Sequence, residues 1–471
     1  MKVYIHTFGC QMNEYDSERM AGILEIAGHE LVYSEAEADA IIINTCTVRN
    51  LAEEKAYSYA GRFVTDKKVI ITGCLAEIKK EELIKKFPTL HAVLGTYNFA
   101  NIGKIITARK GKVLSGAAEE DYGKNVKRPG GVSGYLAIMQ GCDNFCSYCI
   151  VPYARGRERS RSIKDIISEL NRMTSQGFVE VIFLGQNVNS YKDPETGVNF
   201  AGLLKETVKT AGIERIRFMT PHPKDISREL AETVAANKKI CSHIHLPVQA
   251  GSDNILKAMN RKYTREQYLE KLAMIREVIP GVCVTTDVMV GFPGETEKDY
   301  NDTVSLLETA RFDSAYMFKY SARQGTAAFK LKDDVDKEEK ARRINYVLEL
   351  QKHISENINS GEIGTTAAAL GIAPADRYEG EIEAALESGK KVFCRGDLSL
   401  IGKIFEVKLT QVRGMSFSGG EGFVLGALGG SAIVGMIGNA LNISGVDPFY
   451  QYIFRGALLI IAMIINSFKR K

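Results

Sequence analysis

Three closely spaced cysteines carry the strongest chemical signal in this chain. Cys142, Cys146 and Cys149 stand in a CxxxCxxC spacing directly after the apolar run Tyr135–Met139. Three thiolates this close together can hold three corners of an iron–sulfur cube, and no fourth cysteine lies nearby in sequence to take the last corner. Cluster irons are normally all held by protein ligands, so one iron is left open to bind something else. A structural zinc site is the alternative, but such sites usually close with four ligands from paired short spacings.

Three more cysteines occupy equivalent places in the N-terminal third. A cysteine follows each of three strand-like runs: Cys10 after Val3–Thr7, Cys46 after Ala40–Asn44, and Cys74 after Val69–Thr72. Strands that alternate with helical patterns indicate a parallel sheet, and open α/β sheets place their ligand sites at the carboxyl ends of strands. A lone cysteine after a strand is usually a small core residue. Three at equivalent positions are hard to ascribe to packing, so we expect a second three-cysteine cluster.

The central part of the chain predicts a partial barrel. Six strand-like runs follow one another: Tyr135–Met139, Val179–Leu184, Arg215–Thr220, His243–Val248, Val282–Val290 and Ser314–Tyr320. The helical patterns between them are Ile163–Ser175, Phe200–Ala211, Ile226–Ala236, Asn254–Ile279 and Glu297–Ala310. Six β/α units are too few for a closed eightfold barrel, so we expect an open one with its chemistry at the carboxyl ends of the strands. His243 and His245 alternate on one strand and should face the same side, as core or supporting histidines rather than metal ligands.

Composition sets limits on partners and setting. The chain has 471 residues, room for about three domains. Its 61 Lys and Arg against 57 Asp and Glu give a net charge of +4, so an RNA surface would have to be a local patch. Nine cysteines without a secretory signal indicate a reducing, cytoplasmic setting, where clustered cysteines are more often metal ligands or catalysts than disulfides.

The segment from Tyr135 to Arg161, YLAIMQGCDNFCSYCIVPYARGRERSR, resembles the cluster-binding segment of radical S-adenosylmethionine (SAM) enzymes. The resemblance implies a catalytic [4Fe–4S] cluster on Cys142, Cys146 and Cys149 whose open iron takes the amino and carboxylate groups of SAM. It also places Tyr148 near the adenine of SAM.

Within that superfamily, TFGCQMNEYDSE, INTCTVRNLAEEKA and ITGCLAE look like the cysteine segments of the methylthiotransferase family. That resemblance implies an auxiliary [4Fe–4S] cluster on Cys10, Cys46 and Cys74, where the sulfur to be inserted is handled. GQNVNSY and HLPVQAGS are also similar to family segments. They imply that the SAM and substrate cavity is lined by Gln186, Asn187, Gln249, Gly251 and Ser252.

The resemblance further implies a reaction. One SAM gives its methyl group to sulfur at the auxiliary cluster, and a second SAM yields the radical that removes hydrogen from an unactivated carbon. IMQGCDNFCSYCIVPYARGRERSR, INTCTVRN and HPKDIS look most like the branch acting on N6-isopentenyladenosine beside the anticodon of tRNA, position 37, which becomes the 2-methylthio derivative. Sister branches act on threonylcarbamoyladenosine in tRNA or on a ribosomal protein, and a non-catalytic, metal-stabilised RNA-binding protein is the alternative of another class. An electron donor and a sulfur source are implied as partners, and we expect a monomer that is not membrane-bound.

Four arginines follow the cluster loop at every second position: Arg155, Arg157, Arg159 and Arg161. A solvated charged face is the simpler interpretation. Because arginine forks suit phosphate and carboxylate groups and the site is adjacent, we predict contacts with the RNA backbone or with the carboxylate of SAM.

The predicted fold class is α/β with four parts: an N-terminal open parallel-sheet domain (1–125), the partial (β/α)6 radical SAM barrel (126–355), a small C-terminal β module (358–421) and an apolar tail (422–471). In the module, GDLSLIGKIFEVKLT resembles the RNA-binding TRAM barrel, whereas residues 365–390 do not look like the expected strand, so the module is predicted to be degenerate in part. The tail resembles the end of sugar ABC-transporter permeases and suggests a rearranged gene end. Its continuous apolar run is shorter than the roughly 18 residues needed to cross a membrane.

Overall fold

The computed structural model describes residues 1–47, 50–108, 110–115, 123–375, 380–414 and 416–420. They form two compact units: Met1–Glu362 with Glu387–Lys390, and Ile363–Leu386 with the chain from Lys391 onward. The first unit contains both the N-terminal sheet and the barrel, and the boundary between residues 125 and 126 stays a prediction. The apolar tail predicted at 422–471 lies outside the described residues.

A six-stranded parallel sheet forms the N-terminal part, in the order β2-β1-β3-β4-β5-β6. Its strands are β1 (Lys2–Phe8), β2 (Glu30–Leu31), β3 (Ala40–Thr45), β4 (Lys68–Gly73), β5 (Ala92–Leu94) and β6 (Lys112–Leu114). The helices are α1 (Gln11–Ile26), α2 (Asn50–Phe63), α3 (Cys74–Lys86) and α4 (Ile102–Ile105). Every residue of β3 is buried, as expected for a central parallel strand covered on both faces. The three predicted strands are confirmed; β2, β5 and β6 were missed because runs of two or three residues show no period.

The register of this sheet places the ends of the three strands that precede the cysteines side by side. Phe8 of β1 pairs with Thr45 of β3, and Thr45 pairs in turn with Gly73 of β4. The three following turns, which contain Cys10, Cys46 and Cys74, therefore leave the same edge of the sheet.

The barrel consists of two three-stranded parallel sheets, β11-β10-β7 and β12-β13-β14, and a small antiparallel pair, β8 with β9. The strands are β7 (Ser133–Ala137), β8 (Met139–Gln140), β9 (Arg159–Ser160), β10 (Glu180–Leu184), β11 (Arg215–Phe218), β12 (His243–His245), β13 (Cys283–Val290) and β14 (Ser314–Lys319). The helices are α5 (Val151–Arg155), α6 (Ile163–Ser175), α7 (Phe200–Thr207), α8 (Arg228–Ala236), α9 (Asp253–Ala258), α10 (Arg265–Val278), α11 (Glu297–Ala310) and α12 (Lys337–Glu362). The α/β class and the six-stranded partial barrel are confirmed. The apolar core lies between strands and helices, with Leu136, Phe183 and Val288 fully or almost fully buried.

One predicted helix is wrong. The pattern Asn254–Ile279 is divided into α9 and α10. The division has two local causes: Asn260 takes a left-handed conformation with φ 59°, and Thr264 starts α10 with a reciprocal capping box to Gln267. This break has a functional consequence, because it presents Asn260 and Arg261 to the cysteine loop.

The second unit is a closed barrel in the order β15-β16-β17-β19-β18. Its strands are β15 (Thr366–Pro374), β16 (Glu381–Leu386), β17 (Lys391–Arg395), β18 (Ile404–Arg413) and β19 (Ser416–Gly419). Residues 365–390, which do not look like the strand expected from the family, nevertheless contribute β15 and β16 to this barrel. The alanine-rich β15 pairs antiparallel with both β16 and β18, and these two ladders override the low strand propensity of alanine. Gly371 in this strand is required by packing, because a Cβ there would lie 2.3 Å from the carbonyl oxygen of Leu400.

Among the described residues, no helix combines the length and the apolar character needed to cross a membrane.

Candidate functional site

The N-terminal cysteine turns are joined by two asparagines. The Asn13 side-chain oxygen lies 3.4 Å from both the backbone nitrogen and the sulfur of Cys10. The Asn13 amide group donates to the side-chain oxygen of Asn44 at 3.1 Å, and the Asn44 amide group donates back to the Asn13 carbonyl oxygen at 2.7 Å. Asn44 stands two residues before Cys46. The pair therefore holds the Cys10 turn against the end of β3.

Gly73 brings Cys74 to the same place. Its φ of 90° suits glycine, and a Cβ there would lie 2.4 Å from the Asn44 side-chain oxygen and 2.5 Å from the Thr45 carbonyl oxygen. Burial raises the pKa of Cys74 to about 12, opposed by Arg155 and reinforced by Cys46 and Cys10, so Cys46 and Cys10 both lie within electrostatic reach of Cys74. Cys46 and Cys74 are each 5% exposed, whereas Cys10 is exposed. Buried thiols of raised pKa become thiolates when a metal supplies the compensating charge.

The CxxxCxxC loop is equally constrained. Gly141, with φ 85°, precedes Cys142, and a Cβ there would lie 2.0 Å from the Arg157 carbonyl oxygen. The backbone nitrogen of Cys142 donates to Gly156, and that of Cys149 donates to Cys146. Burial raises the pKa of Cys142 to about 11 and that of Cys149 to about 12, and Cys146 adds to both shifts.

A clamp from the α9–α10 break fixes this loop. The Asn260 amide group donates to the carbonyl oxygen of Phe145 at 2.8 Å. Ser147 donates through its hydroxyl to Ala258 at 2.8 Å and through its backbone nitrogen to Met259 at 2.9 Å. Phe145 itself has a φ of 46°, a strained conformation for a bulky residue that these bonds hold in place.

Arg261 also reaches the loop. Its Nη1 lies 3.5 Å from the sulfur of Cys146, its Nε donates to the Tyr263 hydroxyl at 2.8 Å, and its Nη2 donates to the Pro247 carbonyl oxygen at 2.7 Å. Sequence reasoning missed Arg261 and Asn260. Both lie inside a stretch predicted as one helix, and only the break in that helix marked them.

Buried polar atoms without hydrogen-bond partners gather at the carboxyl ends of the first barrel strands. In the described part of the chain they are Gln140 Nε2, Asn144 Oδ1, Asn187 Oδ1 and His222 Nε2. Buried polar groups are normally satisfied, so a run of exceptions beside the cysteine loop indicates the place of a polar ligand. The residues present therefore fit a cofactor that, like SAM, carries several hydrogen-bonding groups.

The residues predicted to line the SAM and substrate cavity fall into two groups in the structure. Gln186 accepts a hydrogen bond from the Gly141 backbone nitrogen at 2.5 Å, and the Asn187 amide group donates to Asp225 at 2.9 Å. Both thus stand beside the cysteine loop. Gln249 is buried with a left-handed φ of 73°. Tyr148 is partly buried and packs against the barrel core.

Gly251 and Ser252 are engaged with α11. The Gly251 backbone nitrogen donates to the Thr303 hydroxyl at 2.9 Å, and the Ser252 hydroxyl donates to Asp299 at 2.5 Å. They line a surface cavity of about 490 Å³ together with Arg265 and Lys298. Their polar groups are used in this packing, and contact with SAM stays a prediction.

His243 and His245 face the same side, as predicted. Both rings lie within hydrogen-bond distance of the Thr285 hydroxyl, His243 Nε2 at 3.0 Å and His245 Nδ1 at 2.9 Å. In the described residues, no group of three or more histidine, cysteine, aspartate or glutamate side chains is placed to hold a metal ion. That finding concerns a single ion; a cluster binds each cysteine to a different iron and so needs a wider arrangement.

The prediction made for the four alternating arginines is corrected by the structure. Arg155 is 3% exposed and pairs with Asp16 at 2.7 Å, and Arg161 is buried and pairs with Glu169 at 2.7 Å. Contact of these two arginines with RNA was a wrong expectation. Alternation places side chains on one face only along a strand, whereas here Arg155 ends α5 and Gly156 turns the chain with φ 70°.

The other two arginines remain available to a partner. Arg157 is exposed and lies 3.3 Å from Asp143. Arg159 is partly exposed and lies over the ring of Tyr97. For them, RNA contact stays a prediction.

One cavity is lined by residues that neighbour a cysteine of each group in sequence. It has a volume of about 340 Å³ and is lined by Thr47, which follows Cys46, and by Ile150, which follows Cys149. Tyr57, Arg323 and Phe329 contribute aromatic surface and a cation. Burial lowers the pKa of Arg323, against the opposing charges of Glu53 and Cys46, so the guanidinium lies near Cys46.

Comparison with known proteins identifies the family. The sequence profile of the Radical SAM superfamily matches residues 136–307, and that of Uncharacterized protein family UPF0004 matches residues 2–95. A relative from Pelotomaculum thermopropionicum named tRNA-2-methylthio-N(6)-dimethylallyladenosine synthase is 45% identical over 434 residues, 88% of this chain and 96% of the relative. The protein of the same name from Acetivibrio thermocellus is 42% identical over 435 residues, 89% of this chain and 90% of the relative.

The chain belongs to the radical SAM methylthiotransferase family. Family membership implies a [4Fe–4S] cluster and SAM as cofactors. Among solved structures, a radical SAM methyltransferase from Kitasatospora setae is similar with a TM-score of 0.53 and 15% identity, over 69% of this chain and 73% of that one. At this identity the likeness shows the fold alone, an α/β radical SAM architecture.

Proposed function

We propose that this methylthiotransferase converts N6-isopentenyladenosine at position 37 of tRNA to its 2-methylthio derivative. The observation that carries the proposal is a cavity lined both by Thr47, which follows Cys46, and by Ile150, which follows Cys149. A reaction that draws sulfur from one site and radical chemistry from another needs both to reach the same carbon. Relatives that are 42–45% identical over most of their length carry the corresponding name.

We assign the radical SAM cluster to Cys142, Cys146 and Cys149, and an auxiliary [4Fe–4S] cluster to Cys10, Cys46 and Cys74. When bound, a cluster with an open iron supplies the electron for radical chemistry at an unactivated carbon–hydrogen bond. The auxiliary assignment is supported by the level strand ends, the Asn13–Asn44 pair and the electrostatic influence of Cys46 and Cys10 on Cys74.

The chain's own residues bind and orient the substrates. SAM would satisfy the unpartnered polar atoms of Asn187 and His222 at the strand ends. The rings of Tyr57 and Phe329 offer faces on which an extruded purine can stack, and Arg323 adds a cation beside them. Arg157 and Arg159 suit the phosphate backbone of the anticodon stem-loop.

The small β barrel of the second unit is proposed as a further RNA-binding module. Its closed five-stranded form is complete in the described residues. We further propose that a one-electron donor and a sulfur source act as external partners of a monomeric, cytoplasmic enzyme.

The test compares three RNA substrates. Anaerobically reconstituted protein is incubated with SAM, dithionite and tRNA bearing isopentenyladenosine, threonylcarbamoyladenosine or unmodified adenosine, and nucleosides are identified by mass spectrometry. The proposal predicts a methylthio adduct on isopentenyladenosine alone. The Cys142→Ala variant should form none, whereas Cys394→Ala, which removes a buried cysteine of the second unit, should retain activity.

Two results would contradict the substrate assignment. Modification of threonylcarbamoyladenosine in preference to isopentenyladenosine would move the enzyme to a sister branch. Formation of 5′-deoxyadenosine with no modified nucleoside in any tRNA would point to a protein substrate.

A further inference from the structure

Arg261 differs in its partners from three other buried arginines of the first unit. Arg155, Arg217 and Arg343 each pair with a carboxylate at 2.7 Å. Arg261 is 8% exposed, yet no carboxylate pairs with it among the described residues. Its three partners are a tyrosine hydroxyl, a backbone carbonyl and the sulfur of Cys146.

A buried guanidinium without a counter-charge is costly. Removal of one partner of a buried ion pair strongly destabilises a protein, because the other charge is left uncompensated. Of the three hydrogen-bond partners of Arg261 given above, only the sulfur of Cys146 becomes anionic on binding metal. The charge balance around Arg261 is therefore completed by a thiolate.

Hydrogen bonds also fix the orientation of the Arg261 guanidinium. The Tyr263 hydroxyl accepts from Nε and donates to the Val248 carbonyl oxygen at 2.9 Å, and Nη2 donates to Pro247. Two of its three contacts thus anchor it to the chain that follows β12. The third contact is made by Nη1, which is directed at the sulfur of Cys146.

We infer that Arg261 is a positioning residue that donates a hydrogen bond to the Cys146 ligand of the radical SAM cluster and raises the reduction potential of that cluster. The inference rests on the proposed placement of this cluster. The reduced cluster carries one more negative charge than the oxidised cluster. A cationic donor on a ligand sulfur stabilises the reduced form more, and hydrogen bonds to cluster sulfurs are an established determinant of potential.

The test measures the potential of the one cluster concerned. Full-length protein carrying Cys10→Ala, Cys46→Ala and Cys74→Ala together is reconstituted, and its reduction is titrated by electron paramagnetic resonance. In this background, Arg261→Gln should shift the reduction equilibrium about tenfold toward the oxidised cluster, which is about 59 mV for a one-electron couple. Iron content is measured for every variant.

Two further variants keep the test decisive if Arg261→Gln binds iron poorly. Arg261→Lys keeps the charge and loses the fork, and should give a smaller shift in the same direction. Tyr263→Phe removes only the hydroxyl that orients Nε, and should also shift the potential downward. Arg157→Gln is the matched control, because Arg157 is an exposed arginine that follows α5 and pairs with Asp143, the residue after Cys142, at 3.3 Å. The reduction equilibrium of the cluster in Arg157→Gln should stay within twofold of that of the background protein.

The outcomes separate this inference from the cluster assignment. Full iron content with an unchanged potential in Arg261→Gln, or in both Arg261→Lys and Tyr263→Phe, would overturn the role of Arg261 alone. An equal shift in Arg157→Gln would also overturn it, since general charge would then be the cause. Failure of the background protein to bind iron would overturn the cluster placement and the inference with it.

Discussion

Substitution of Glu169 should loosen the N-terminal sheet from the barrel. Glu169 lies on α6 and is fully buried. Its carboxylate accepts from Arg128 at 2.5 Å, from Arg161 at 2.7 Å, and from the Tyr15 hydroxyl of α1 at 3.2 Å. One carboxylate therefore balances two buried arginines and joins the helix that follows Cys10 to the barrel.

The magnitude follows from what Glu169→Gln leaves behind. The amide keeps the shape of the carboxylate and loses its charge, so two guanidinium groups lose a counter-ion. Arg161 keeps the Ala137 carbonyl oxygen and Arg128 keeps the Tyr135 carbonyl oxygen. Arg128 also keeps a longer pair with Glu18 at 3.5 Å, whereas both carbonyl acceptors are neutral, so we expect a loss of about 3 kcal/mol in the free energy of unfolding, the lower end of the range for a broken buried pair. That is a large part of the roughly 5–15 kcal/mol typical of a native protein.

The assay is denaturant unfolding, monitored by circular dichroism. Limited proteolysis of the chain between the N-terminal sheet and the barrel serves as a second probe. The control is Glu206→Gln, whose carboxylate makes a surface pair with Lys209 at 2.7 Å. Exposed pairs contribute about 0–1 kcal/mol. If Glu169→Gln unfolds at the same denaturant concentration as the control, with no new cleavage, the reasoning that this network joins the two parts is refuted.

Three other predictions concern the cysteine turns, a buried carboxyl and the cavity. Gly73→Ala, whose Cβ would meet Asn44 at 2.4 Å, should lose the auxiliary cluster and about half of the iron, whereas Gly111→Ala, with a similar φ of 86° and open space around it, should keep both clusters. Burial raises the pKa of Glu18 from 4.5 to about 7, so its contribution to stability is fully present below about pH 4.5 and is lost as the pH rises through about 7. The thermal midpoint should therefore decrease less steeply between pH 5 and 8 in Glu18→Gln than in the unsubstituted protein. The same slope in both proteins would contradict this. Arg323→Gln should raise KM for tRNA about tenfold with unchanged iron content, measured by steady-state methylthiolation; an unchanged KM would exclude Arg323 from substrate binding.

The elements that bear the cysteines could be predicted because their signals are local. Each long parallel strand is an apolar run followed directly by a polar turn. The helices Ile163–Ser175 and Glu297–Ala310 have the predicted bounds, since each begins at a capping residue, Ser162 or Thr296. That Cys10, Cys46 and Cys74 lie at the same edge of the sheet follows from its parallel topology, whereas their level position depends on the register of the strands.

What could not be predicted depends on contacts between distant residues. Arg261 and Cys146 are separated by 115 positions, and Glu169 and Tyr15 by 154. No periodicity signals such a contact. The arginines after the cluster loop were misjudged for the same reason, because burial of Arg155 is decided by Asp16, 139 positions away. Strand β15 was missed because pairing on both sides, rather than propensity, stabilises it.

The central claim is that this chain carries two separate three-cysteine cluster sites. The most direct test is the iron content after anaerobic reconstitution of three proteins: the intact chain, a Cys142/Cys146/Cys149→Ala variant, and a Cys10/Cys46/Cys74→Ala variant. The account predicts about eight irons in the intact chain and about four in each variant. Four irons in the intact chain, with none left in either variant, would mean a single shared cluster and would contradict it.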